Sequence, residues 1–82
     1  MYQRTWKKNR RKAAILGVLA RSQWPLSYAQ VAGIVGIYPI RQVARDLQRY
    51  TSWGYVRRWK AARKFRYEIT RRGQERLEYF CR

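Results

Sequence analysis

Residues 38–56 read YPIRQVARDLQRYTSWGYV. Ile40, Val43, Leu47 and Tyr50 recur at i, i+3, i+7 and i+10, the stripe of a helix laid against a core. Pro39 suits the first helical position, and Gly54 suits the left-handed residue that closes a helix. The spacing therefore predicts a helix over 39–52. The face opposite the stripe is centred on Arg45, with Arg41, Gln42, Gln48, Arg49 and Ser52 beside it and Asp46 at its edge. Arg41, Arg45 and Arg49 follow one another at i+4, where like charges cost a few tenths of a kcal/mol per pair in an isolated helix. A folded chain that keeps such a stripe calls for an anionic partner.

Upstream, Ser27 and Gln30 form the pair of a capping box. They open a helix that runs through SYAQVAGIV, with Val31, Ile34 and Val35 inward and Gly36 as its left-handed stop. Before it, Ile15, Leu16, Val18 and Leu19 mark a core-facing helix over about 8–22. Trp24-Pro25 ends that helix, because the residue before proline avoids the helical region. Leu26 is a lone apolar residue in an extended spot. Downstream, YVRRW (55–59) and FRYEIT (65–70) are aromatic and β-branched, with KAARK between them, which reads as a β-hairpin with a basic tip. Phe65, Tyr67 and Ile69 alternate with Arg66, Glu68 and Thr70, the period of a strand. Trp59 is expected to pack against the third helix from the first strand, the alternative being an exposed stacking platform. Thr70 caps a last helix, RRGQERLEYF, with Leu77, Phe80 and Cys81 as its apolar side. The expected class is mainly α with a β-hairpin (α+β): a three-helix core, a hairpin and a C-terminal helix. Residues 1–7 read as a flexible basic tail and 8–82 as one domain.

The short turn between the second and third helices makes a helix-turn-helix, and a hairpin directly after the third makes it winged. The pieces Pro25-Leu26-Ser27 with Ala29 and Ala32, Gly36-Ile37, Val43 with Leu47 and Tyr50, Trp53-Gly54-Tyr55-Val56, and Tyr67 with Ile69-Thr70 and Gly73 stand in this order. With them, residues 10–80 resemble the winged helix-turn-helix domain of MarR-like and PadR-like small prokaryotic, archaeal and viral transcription regulators. The very high arginine content departs from that pattern. The resemblance implies that the third helix lies in the DNA major groove. The residues facing DNA are then Tyr38, Arg41, Gln42, Arg45, Gln48 and Arg49. Arginine bonds bidentately to guanine and glutamine to adenine. Arg41, Gln42 and Arg45, nearer the helix start, fall to base edges and Arg49 to phosphate. In the wing, Arg57, Arg58, Lys60, Arg63, Lys64 and Arg66 are set against backbone or minor groove. Narrow minor grooves attract arginine, although charge on a hairpin also guards an edge strand from aggregation. Lys7, Lys8, Arg10, Arg11, Ser27 and Tyr28 are candidate backbone contacts.

Twenty Lys and Arg against four acids give a formal charge of +16, which favours polyanions as partners. No apolar run approaches the ~18 residues of a membrane span, and the N-terminus shows no apolar signal segment. Cys81 is the one cysteine, there is no histidine, and Asp46, Glu68, Glu75 and Glu78 form no pair across a cleft. Glu75 and Glu78 share a helix with Arg71, Arg72 and Arg76, where ion pairing accounts for them. No catalytic residue, metal site or cofactor is expected, and the chain is read as a non-enzyme. The expected function is sequence-specific binding of double-stranded DNA by a transcriptional regulator, a repressor, in the cytoplasm with the nucleoid, or in a host cytoplasm for a viral protein. An architectural or weakly specific duplex binder, an RNA- or ribosome-associated winged helix, and an interaction module of a larger complex are the alternatives. A homodimer through helix 1 and the C-terminal helix, with Leu77 and Phe80, would set two recognition helices roughly 34 Å apart.

Overall fold

The capping box sets the first boundary. Gln30 N donates to Ser27 Oγ (3.3 Å) and Ser27 N donates to Gln30 Oε1 (2.9 Å), satisfying two N–H groups at a helix start. In the computed structural model, which describes residues 8–80, the elements are α1 (Lys8–Arg21), α2 (Tyr28–Val35), α3 (Ile40–Ser52), β1 (Val56–Ala61), β2 (Lys64–Ile69) and α4 (Arg71–Phe80). The expected tail, Lys7 and Cys81 lie outside the described residues, as do the side chains of Lys8 and Phe80. Gly36 ends α2 at φ 75°, the left-handed conformation that glycine adopts without a Cβ penalty. Pro39 sits one place earlier than expected, as the extended residue before α3.

β1 and β2 form an antiparallel hairpin in which Val56 faces Ile69 and Arg58 faces Tyr67. Leu26 adds a one-residue bridge, exchanging backbone hydrogen bonds with Tyr67 at 3.1 and 2.8 Å. This accounts for a lone apolar residue between two helices: it bridges to the outer side of the two-stranded hairpin at a single position. Thr70 closes the hairpin onto α4. Its Oγ1 donates to the Gly54 carbonyl (2.6 Å) and accepts from Gly73 N (3.0 Å), while its N–H donates to the Tyr55 carbonyl (3.0 Å).

One core joins these elements. Ile15, Leu16, Val18 and Leu19 of α1 meet Leu26, Val31, Ala32, Ile37, Val43, Leu47, Tyr50, Val56 and Tyr67. Leu77 of α4 packs on its margin.

Four orientations differ from expectation. Ile34 is 62% exposed, because Val31, Ala32 and Val35 set the inner face of α2 and Ile34 falls about 100° from its centre. Ile40 is partly out of the core and Asp46 is within it, at 1% exposure. The buried set of α3 is thus Val43, Asp46, Leu47 and Tyr50, and the helix is rolled about 30° from the predicted stripe. Phe65 lies beyond the core edge, exposed, with the Arg58 guanidinium 4.4 Å from its ring centroid. Trp59 alternates to the face away from Val56, so it does not pack on α3; Arg57 covers its ring at 5.1 Å.

Candidate nucleic-acid interface

The roll of α3 decides which residues it presents. With Val43, Asp46, Leu47 and Tyr50 inward, the outward face is centred near Arg41, with Arg45 and Gln48 on either side and Arg49 at its flank. All four are exposed, and so is Tyr38 at the helix entrance. Asp46 is the helix's single acid, and it points away from this face. Its carboxylate meets Arg11 of α1, with Nε 2.6 Å from Oδ2 and Nη2 donating to Oδ1 at 3.3 Å. Gln42 is half-buried and donates from Nε2 to the same Oδ1 (3.2 Å). Among the described residues, no ion pair neutralises the arginine stripe. Arg11, placed by sequence among backbone contacts, has its guanidinium committed to the interior.

Nearby, Tyr50 is 3% exposed, and its ionisation is pushed well above the ordinary tyrosine range by burial and then by the Asp46 charge. The neutral phenol is the form that fits beside the carboxylate.

The hairpin distributes its cations unequally. Lys60, Arg63 and Lys64 stand exposed at the tip. Arg57 pairs with Glu68 across the strands at 3.3 Å, in solvent, a contact of little energetic weight. Arg66 donates from Nη1 to Gln30 Oε1 (3.0 Å), so it ties the hairpin to the capping box of α2. The tip and the start of α2 together frame an open cleft of about 340 Å³ lined by Ser27, Tyr28, Ala29, Arg63, Lys64 and Phe65. Ser27 is buried and its Oγ is used by the cap, so Tyr28 is the exposed member of that pair.

A second basic cluster gave no motif to read. Lys12 lies 4.9 Å from the Trp53 ring and 6.0 Å from Tyr55, and Arg72 lies 5.8 Å from Tyr55. Burial, then Arg76 and Arg49, lower the Lys12 pKa. Its signal is only tertiary: α1, the end of α3 and the start of α4 converge there.

Chains of known structure share this arrangement. MepR, a transcription regulator of the Staphylococcus aureus multidrug efflux pump MepA, matches with a TM-score of 0.75 at 21% identity, over 96% of this chain and 58% of its own. The fold is a winged helix-turn-helix. A MepR variant bound to an oligodeoxyribonucleotide matches at 0.75 and 22% identity, over 85% of this chain and 53% of its own. The transcriptional regulator PA3341 matches at 0.70 and 25% identity, over 84% and 52%. The winged helix thus spans 52–58% of the length of these neighbours. No family model and no curated protein matches the sequence. In winged-helix terms, α3 occupies the recognition position and the β1–β2 hairpin is the wing. Among the described residues, no helix is long and apolar enough to cross a membrane.

Proposed function

We propose that the chain is a sequence-specific double-stranded DNA-binding regulator that sets α3 in the major groove and the wing on the backbone or minor groove. The observation that carries the reading is the outward face of α3. It offers Arg41, Arg45, Gln48 and Arg49 with no carboxylate, because the one acid of the helix is buried against Arg11. Guanine O6 and N7 and the phosphate oxygens are the groups such a face complements. Arg41, Arg45 and Gln48 point most directly outward and read base edges; Gln42 contributes from the side; Arg49 holds the backbone. A phosphate contact at the cleft between the wing tip and α2 is supported by Arg63 and Lys64, which flank it opposite the start of α2. The neighbour bound to an oligodeoxyribonucleotide supports the same partner.

Such a protein acts by occupying promoter DNA, as a repressor. A homodimer along the surfaces of α1 and α4 fits a palindromic site, although α4 already packs on α1 within the chain and Leu77 is partly used there. Selection of bound duplexes from a random pool at about 150 mM salt tests the reading. A regulator enriches one site by about 10³ or more over random DNA; a half-site repeat in it reports the dimer. Binding without enrichment points to an architectural role, and preference for structured RNA overturns the proposal.

A further inference from the structure

A buried ion pair adds little net stability over well-packed apolar side chains. Yet this small chain places one in its interior, between helices that do not otherwise lie along each other. α3 packs chiefly on α2 and β1, whereas α1 packs on α2, α4 and β2. The long Arg11 side chain crosses the gap to Asp46, which is 1% exposed. One carboxylate oxygen lies in ion-pair contact with Arg11 Nε at 2.6 Å, and the other accepts hydrogen bonds both from Arg11 Nη2 and from Gln42 Nε2. The pair therefore ends at a side chain on the rim of the recognition surface.

We infer that Arg11 and Asp46 are positioning residues for base readout: they fix the amide of Gln42 in one orientation. The inference rests on the DNA-reading role proposed above. An unanchored glutamine is two-sided, because its amide turns over to offer either a donor or an acceptor. With Nε2 held inward by Asp46, Oε1 is the atom that leads outward. Its partners in the major groove are donors, adenine N6 and cytosine N4. Guanine and the thymine carbonyl present acceptors there and are disfavoured. Discrimination at this position comes from removing the alternative orientation, a form of design against the wrong partner.

The test uses the duplex selected by the wild-type chain and its single-base-pair variants. Gln42→Ala first identifies the base pair that Gln42 reads, as the position where preference relaxes. There the wild-type chain is expected to favour adenine or cytosine over guanine or thymine by about tenfold. Asp46→Leu, which removes the acceptor that Gln42 Nε2 uses, is expected to bring that ratio close to one while the preferences assigned to Arg41 and Arg45 persist. Because an unpaired Arg11 could unfold that variant, the double variant Arg11→Met with Asp46→Leu provides an apolar replacement expected to remain folded, and it should lose the same ratio. The readout compares duplexes of equal charge, so a uniform change in affinity cancels. If both variants melt at lower temperature but keep the wild-type ratio, the pair is merely structural and the inference fails. It also fails if no base pair responds to Gln42→Ala, or if the preferred base is guanine or thymine. A wild-type chain without base preference at any position overturns the DNA-reading role itself, a distinct result from wild-type discrimination that survives loss of the pair.

Discussion

Arg45 and Arg63 are both exposed arginines, and under the proposed function their settings give them different tasks. Arg45 stands on a rigid helix whose opposite side is locked by Val43, Leu47 and Tyr50. Arg45→Ala should cost about 1–3 kcal/mol at the selected site and relax base choice there. Arg63 stands at a hairpin turn, and Arg63→Ala should weaken all duplexes alike and reduce the salt slope by about one; equilibrium titrations at several salt concentrations check both. Tyr50 carries a pH signature. Its folded pKa is raised above the ordinary value of 10.0. Above that pH the unfolded chain releases the phenolic proton while the folded chain keeps it, so wild-type stability falls as pH rises. Tyr50→Phe should show a shallower loss, seen by comparing urea midpoints of the two chains between about pH 9 and 11. At this scale the arginine stripe was legible from spacing, whereas Asp46 was not. An acid at i+3 from Val43 and i−4 from Tyr50 sits in a core position, but only Arg11, 35 residues away in sequence, makes its burial tolerable.

The elements depend on a few backbone positions. α4 approaches the segment between α3 and β1 so closely that a Cβ on Gly73 would fall on the Tyr55 carbonyl oxygen and lie 2.8 Å from Ile69. That carbonyl already accepts from Thr70 N–H, so it cannot move away without loss. Gly73→Ala should destabilise by about 1–3 kcal/mol, the usual cost of overpacking, measurable by denaturant unfolding. The wing turn has the opposite weakness. Ala62 is held at φ 59°, where a Cβ costs roughly 1–2 kcal/mol. Ala62→Gly should therefore raise stability, or at least not lower it, despite the entropy that glycine adds to the unfolded chain. Helix starts and stops were readable in the sequence because capping residues act over four or five positions. The face of α2 was not, since Ile34 and Val35 are equally apolar and only packing distinguished them.

For the whole molecule, charge is the dominant quantity. If about seven phosphates are neutralised, log K should fall against log salt with a slope of about −6. The Lys12 cluster at the meeting of α1, α3 and α4 adds cations away from the α3 stripe, and Lys12 already feels repulsion from Arg76 and Arg49.

By itself the sequence determined the element order, the caps, the hairpin and the cationic third helix, since each rests on local spacing or on composition. Tertiary structure alone decided the roll of α3, the bridge from Leu26 to Tyr67, the inward turn of Gln42 and the commitment of Arg11. Those depend on which residues distant in sequence come to share one interior. A 30° rotation that shifts the centre of the outward face from Arg45 to Arg41 leaves no local trace in the residues it moves.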